Sequence, residues 1–320
     1  MGGLSRKSTY IKSLKSNKIN PIILDAGDAL FARPQYPKKS FPSEKYKAKT
    51  FLKAFEEIGC DALNIGEYDL SAGYKFLKSL EKNSTIPFIS ANLLEKTTGN
   101  TAFKPYVVIE RNGRKIGVIG ITDHMPITEG DLIKDDYLKT GQKMISKLKT
   151  EVDILIMMVN GDIREKDAIL DSFKDADYVF LSRTVSNTRI AAPQEVGYPI
   201  FYTFGINGKY LAEIKTTIKD NNKSIIDVSS DETNLSNIKR QLSILKTTEG
   251  RQTVAEKYAT NPQVLTQIEF FEKREKELEN NLSKVVNKSE IKLVALPLNM
   301  DFDAKMQLFI DKELKKAKNL

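Results

Sequence analysis

Pro21-Ile22-Ile23-Leu24-Asp25-Ala26-Gly27-Asp28-Ala29-Leu30-Phe31 is the stretch of this 320-residue chain from which the rest is best read. Residues 21–24 form a short apolar run with two isoleucines, the pattern of a strand buried on both faces in a sheet covered by other layers. Asp25 and Asp28 flank an Ala-Gly turn, so the carboxyl end of that strand delivers two carboxylates into a sharp loop, where open α/β sheets usually hold their ligands. A carboxylate there is a hard oxygen donor for a divalent cation. The same residues are also an ordinary turn cap, in which the carboxylates serve only the local backbone.

The neighbouring segments repeat the theme. Residues 61–77, Asp-Ala-Leu-Asn-Ile-Gly-Glu-Tyr-Asp-Leu-Ser-Ala-Gly-Tyr-Lys-Phe-Leu, read as a strand, an acidic loop and the start of a helix, and residues 87–94 place Asn92 just past another strand. Upstream, Leu4, Tyr10, Ile11 and Leu14 share one face of an amphipathic helix over residues 4–18. Residues 32–47, rich in proline and lysine, are expected as an exposed loop, followed by a helix from about Tyr46 that Gly59 ends. Asn112-Gly113 between two apolar runs predicts a hairpin over residues 105–122. Residues 152–159 and 178–181 are buried strands by the same reading, and residues 198–204 and 211–218 suggest a second hairpin turning at Asn207-Gly208. Strands alternating with helices argue for a layered α/β domain with crossover connections.

After residue 230 the texture changes. Leu235, Ile238, Leu242 and Leu245 are spaced three and four apart, an apolar seam on an otherwise polar helix. Asn261-Pro262 supplies an N-cap and a first-turn proline for a second helix carrying Ile268, Phe271, Leu278, Leu282 and Val285. The expected organisation is a domain over 1–230, a helical hairpin over 231–287 that packs on itself or mediates self-association, and a strand and terminal amphipathic helix over 288–320.

The net charge of +8 comes from lysines spread along the whole chain, with no basic stripe and interleaved aromatics, so nucleic-acid binding is not inferred. No stretch is apolar for long enough to cross a bilayer. The single cysteine, Cys60, excludes an internal disulfide and a thiolate zinc site, and its surroundings read as those of a buried, inert thiol.

Five short segments together carry a resemblance: Gly2-Gly3-Leu4-Ser5-Arg6, Leu24-Asp25-Ala26-Gly27-Asp28, Gly66-Glu67-Tyr68-Asp69, Ser90-Ala91-Asn92, and Lys115 to Thr122. In this order the chain resembles the 5′-nucleotidase and UDP-sugar hydrolase family of calcineurin-like metallophosphoesterases. The resemblance implies a four-layer α/β/β/α sandwich whose first strand, bearing an Asp-x-His motif, is missing here, followed by the C-terminal helical hairpin. It also implies hydrolysis of phosphate esters by two divalent metals that generate hydroxide and clamp the phosphoryl group. Asp28 matches the carboxylate that bridges those metals. At the family's Asn-His pair stand Glu67 and Tyr68, at a strand-end histidine stand Asn160-Gly161-Asp162, and in place of Gly-His-x-His stand Ser182 to Ser186. The one histidine, His124, falls outside the family's ligand positions and reads as a cap or loop residue.

Zinc, which prefers nitrogen and sulfur donors, is therefore not expected. An all-oxygen set of Asp28, Glu67, Asp69, Asn92 and Asn160 is what remains to hold magnesium, manganese or calcium. Arg183 is the candidate contact for an anion such as a small phosphorylated ligand, or else a surface salt bridge. Two functions follow: a noncatalytic or chemically diverged member of the fold, or a phosphoesterase working through an oxygen-rich metal site. A subgroup similar to this chain, with Gly-Glu/Asp-Tyr-Asp and the long helical tail, carries a Cys-x-Cys or selenocysteine segment upstream behind an export signal. That likeness implies an exported, envelope-located module with a redox partner and a truncated or misassigned start at Met1. The chain as it stands shows no signal peptide and reads as cytoplasmic if Met1 is the true start.

Overall fold

Apolar periodicity and turn chemistry place the elements in the computed structural model, which describes residues 3–320 apart from Thr128, Asn207, Glu249 and Arg251. Helix α1 (Leu4–Ser16) buries Ile11 and rests Leu4 and Leu14 on the core, with Lys12 and Lys15 exposed. It leads to β1 (Leu24–Asp25), then α2 (Phe41–Ile58), β2 (Ala62–Asn64), α3 (Tyr74–Lys82), β3 (Phe88–Ile89) and β4 (Leu93–Glu95). Next come β5 (Tyr106–Arg111), β6 (Arg114–Thr122), β7 (Leu132–Lys134), α4 (Tyr137–Leu148), β8 (Ile154–Asn160), α5 (Lys166–Ser172), β9 (Tyr178–Ser182) and β10 (Ile200–Thr203). The remainder is β11 (Tyr210–Thr217), β12 (Ile225–Asp227), α6 (Ser229–Lys246), α7 (Val254–Lys257), α8 (Pro262–Lys284), β13 (Asn287–Ala295) and α9 (Ala304–Ala317).

The chain divides into two compact units. One runs up to Thr188 and takes in Glu195–Leu211 and Leu293–Leu320; the other comprises Arg189–Gln194 and Ala212–Lys292. The first holds two larger sheets and a two-stranded antiparallel pair, β4 with β7. In one, β1, β2 and β3 are parallel neighbours in that order; in the other, β10, β9, β8 and β6 are parallel and β5 closes the edge antiparallel. Register explains how they stack. Ile119, Ile121, Met157, Val159, Val179 and Leu181 point to the side covered by α4 and α5, where Ile145, Leu148, Ile169 and Phe173 meet them. Gly120 lies on the opposite face against the first sheet, so close that a Cβ there would sit 2.5 Å from Asn64 Oδ1 and 2.7 Å from Ile89 O. The far face of the first sheet is covered by α1, α2, α3 and α9 through Leu52, Phe55, Ile58, Leu77 and Met306. The order of layers is helix, sheet, sheet, helix, a mixed α/β architecture of the kind the alternating pattern predicts.

Several expectations need correction. The strand expected over 21–24, buried on both faces, is only Leu24–Asp25 and half-buried, because β1 lies at a sheet edge. Ahead of it Ile23 bonds to Asp61, just before β2: its N–H donates to Asp61 Oδ2 at 2.8 Å and its carbonyl accepts from Asp61 N at 2.7 Å. The loop expected over 32–47 ends early: α2 begins at Phe41, with Pro42 in the first turn, where its missing N–H costs nothing. Gly59, at φ 92°, ends that helix as read. Asn112 and Gly113, at φ 51° and 73°, make the primed turn that joins β5 to β6. Among the described residues, the strands of the expected second hairpin do not pair with each other. β10 takes β9 as a parallel partner and β11 pairs with β13, and Asn207 of the expected turn lies outside the described residues, as does Gly2 of the N-terminal motif.

In the second unit, β13 has β11 and β12 as neighbours, and buried Asn287 braces the incoming loop, accepting from Lys219 N and donating to Asp220 O and Lys223 O. Helices α6 and α8 run antiparallel, tied by Lys239–Glu279 and Lys246–Glu272. Leu242, Ile268 and Leu278 are buried between them, so the seam is used within the hairpin. Asn261 precedes α8 without a side-chain cap bond.

Candidate functional site

Three parallel strands end level with one another, setting Thr122 of β6 beside Asn160 of β8 and Asn160 beside Ser182 of β9. Facing them are the loops that follow β1 and β2, and Asp69 holds those two loops together. A single tight helical turn, Tyr68–Leu70, buries its side chain completely. Asp69 Oδ2 accepts from Asp28 N at 2.9 Å and from Gly66 N at 2.9 Å, and Oδ1 accepts from Leu30 N at 2.8 Å. Burial, followed by the charge of Asp28, pushes this carboxyl up to about 7, against the pull of the backbone N–H donors.

Asp28 adopts φ 63°, left-handed for a non-glycine residue. Its Oδ1 accepts from Tyr68 N at 2.7 Å, whereas its Oδ2 is buried with no hydrogen-bond partner among the described residues. Burial raises its pKa and Glu67 adds to the rise; the Asn160 amide, the Tyr68 N–H and the Arg183 charge oppose it. The approach of the loops demands glycine at 66, where a Cβ would lie 2.3 Å from Asp28 Oδ1 and 2.7 Å from Asn160 Nδ2. Asp25 serves its own turn, accepting from Gly27 N at 3.1 Å, and burial raises its carboxyl although Lys7 counteracts.

Asn160 connects this loop pair to the second sheet. Its Oδ1 accepts from Glu67 N at 3.1 Å and its Nδ2 donates to Ser182 Oγ at 2.9 Å; Ser182 in turn donates to Ala26 O at 2.7 Å. Asn64 donates to the same Ala26 carbonyl and to Ile121 O, each at 3.0 Å. Glu67 Oε2 lies 2.7 Å from Arg183 Nη2 in a largely buried ion pair. Asp28, Glu67, Asp69, Asn160 and Arg183 are thus brought together. Asn92 is not part of that set: its Oδ1 accepts from Thr122 N at 2.9 Å and its Nδ2 donates to Thr122 O at 2.7 Å and Asp135 O at 3.2 Å. His124 stands in the loop after β6 with Nε2 3.1 Å from Asp123 Oδ2. Cys60 is buried, and desolvation pushes its thiol far above the ordinary range. Sequence reasoning missed Asn64, Thr122 and Ser182; the signal was a polar residue closing an apolar strand run.

No protein-family model matches the chain. Curated relatives do. Protein UshA of Salmonella pullorum is 29% identical over 124 residues, covering 38% of this chain and 21% of that protein. Snake venom 5′-nucleotidase of Gloydius brevicauda is 29% identical over 190 residues, 56% of this chain and 31% of the venom protein. The chain thus matches only about a fifth to a third of these relatives' length. Among solved structures, the calcineurin-like phosphoesterase YfkN from Bacillus subtilis superposes over 99% of this chain and 91% of its own, with TM-score 0.63 at 16% identity, a likeness of fold. The chain is similar in sequence to 5′-nucleotidases and has the fold of calcineurin-like phosphoesterases.

The 5′-nucleotidase resemblance brings with it a dinuclear metal centre, and the donor set as arranged does not fit one. Two ions bridged by Asp28 need several further oxygen or nitrogen donors with free lone pairs. Asp69 has both oxygens on backbone N–H groups, Asn92 faces Thr122 and Asp135, Asn160 Oδ1 holds Glu67 N, and Glu67 is paired with a guanidinium. Among the described residues no group of three or more His, Cys, Asp or Glu side chains is arranged to hold a metal ion.

Proposed function

We propose that this 5′-nucleotidase-like protein is noncatalytic in the family's sense: its metal centre has given way to a network of internal hydrogen bonds and one ion pair. The observation that carries this reading is Asp69, whose carboxylate accepts three backbone N–H groups and is spent on fastening the loop of Asp28 to the loop of Gly66. At the family ligand positions that fall within this chain, Glu67-Tyr68, Asn160-Gly161-Asp162 and Ser182 to Ser186 supply no imidazole to protonate a leaving group or touch a phosphoryl oxygen.

Buried Asp28 Oδ2, with no hydrogen-bond partner among the described residues, favours a second reading, a phosphoesterase acting on nucleotides or related esters through magnesium, manganese or calcium held by oxygen donors. One experiment separates the two. Purified protein is incubated with AMP and with a generic phosphomonoester in the presence of each of these cations and of zinc, and released phosphate is measured. The expected result is no metal-dependent release above buffer. Robust release that Asp28→Ala abolishes overturns the noncatalytic reading.

A further inference from the structure

We infer that the Arg183 guanidinium is the resident cation of this site, standing where a metal's positive charge would otherwise be required and keeping divalent ions out. The inference rests on the noncatalytic reading and deepens it. Three independent features of the geometry support it. First, Arg183 Nη2 lies 2.7 Å from Glu67 Oε2, with the two side chains only 26% and 15% exposed, so the pair is mostly withdrawn from water. Second, Arg183 takes φ 65°, and Asp28, across the loop junction, takes φ 63°. A bulky non-glycine residue such as arginine takes this conformation uncommonly, and such residues cluster at clamps and tight junctions. Arg183 follows Ser182, the last residue of β9, and from there its side chain reaches Glu67. Third, Asp28 leaves Oδ2 buried with no hydrogen bond among the described residues, a negative oxygen that needs a nearby positive charge more than it needs a donor.

The electrostatics agree with that placement. Arg183 is among the groups that lower the Asp28 carboxyl against its burial, while Glu67 raises it. Two carboxylates gathered in a partly dry junction repel each other unless a cation stands between or beside them. A guanidinium supplies one permanent charge, fixed by a planar fork and unable to dissociate into solvent as an ion does. It also supplies no open coordination position and no ionisable water, so the same substitution that stabilises the loops removes the chemistry.

The test is to take the cation away. In Arg183→Gly, glycine accepts the positive φ at no cost, and Glu67 and Asp28 are left without their counter-charge. Thermal unfolding of wild type, Arg183→Gly, Arg183→Lys and Arg183→Gly/Glu67→Gln is followed with and without millimolar manganese chloride. Wild type and Arg183→Lys are expected to show no manganese response. Arg183→Gly is expected to gain one bound ion per chain and a rise in Tm of about 2–4 °C, and adding Glu67→Gln should remove that rise. A folded Arg183→Gly that ignores manganese, or an Arg183→Lys that responds as the glycine variant does, overturns the inference. If Arg183→Gly does not fold alone, recovery of its fold by manganese supports the inference and failure to recover overturns it. Metal-dependent phosphate release by wild type would instead sink the noncatalytic reading, so the two failures are distinguishable.

Discussion

Asp69 shows why the chemical type of a residue does not settle its use. A buried carboxylate with free lone pairs is a ligand; the same carboxylate surrounded by N–H donors is a structural clamp. Three backbone donors converge on its two oxygens from positions 28, 30 and 66, two of them about forty residues away along the chain. Replacing it with asparagine would turn an amide NH₂ toward at least one of these donors and leave a buried N–H without an acceptor. Asp69→Asn is expected to destabilise the protein by about 3 kcal/mol, since each stranded buried donor costs about 1–3 kcal/mol. Urea unfolding would measure it, and a loss below about 0.5 kcal/mol would mean that the amides find other partners. The acidic residues of the loops were legible in the sequence because they follow apolar runs. What each oxygen binds was not, because the donors arrive by tertiary approach. Asn64 and Ser182 were assigned no role at the site for the same reason: a polar residue at a strand end is unremarkable until a neighbouring strand or loop supplies its partner.

At the scale of elements, local signals and long-range pairing divide what the sequence could reveal. The β5–β6 turn and the stop of α2 were readable because Asn112-Gly113 and Gly59 determine their own backbone conformation. The pairing of β10 and β11 was not, since two adjacent apolar runs suit a hairpin and the choice of β9 and β13 as partners is made by distant chain. The last helix illustrates how such distant contacts carry energy. Asp303 caps α9, its Oδ1 accepting from Lys305 N and Met306 N, and its Oδ2 accepts from Ser8 Oγ at 2.6 Å and from Lys12 Nζ of α1. Burial alone would raise this carboxyl; Lys12, Ser8 and the Met306 N–H outweigh burial and hold it at about 2. That value is below the roughly 3.9 of an unfolded aspartate, so between the two pH values the unfolded chain binds the proton more readily. Stability contributed by the Asp303 charge is therefore complete above about pH 4 and is lost as the pH falls toward 2. Asp303→Asn keeps a capping oxygen but removes the charge, and should cost about 1–2 kcal/mol at pH 6. The gap between variant and wild type should close on acidification; a gap that stays constant from pH 6 to pH 2 would show that the charge is not the source.

For the whole molecule, the noncatalytic reading proposed above means that the calcineurin-like phosphoesterase fold holds its loops with bonds internal to the chain. Where a metal is a structural partner, its removal reports directly on stability, because a ligand bound only by the folded state contributes RT ln(1 + [L]/Kd). A resident ion at one hundred times its dissociation constant would add about 2.7 kcal/mol, which for a chain of this size corresponds to roughly 5–10 °C in Tm. Here the loop of Asp28 is held by Asp69, the loop of Glu67 by Asn160 and Arg183, and the second sheet is joined to the first loop by Ser182 on Ala26 O and to the second by Asn160 on Glu67 N. Each of those bonds lies within the chain. Extended dialysis against EDTA should consequently leave the Tm of the wild-type protein within about 1 °C of its starting value, and far-ultraviolet circular dichroism should be unchanged. A fall of several degrees that manganese or magnesium restores would mean that an ion contributes to the loop junction after all. The donors now assigned to backbone N–H groups and to Arg183 would then have to rearrange around it.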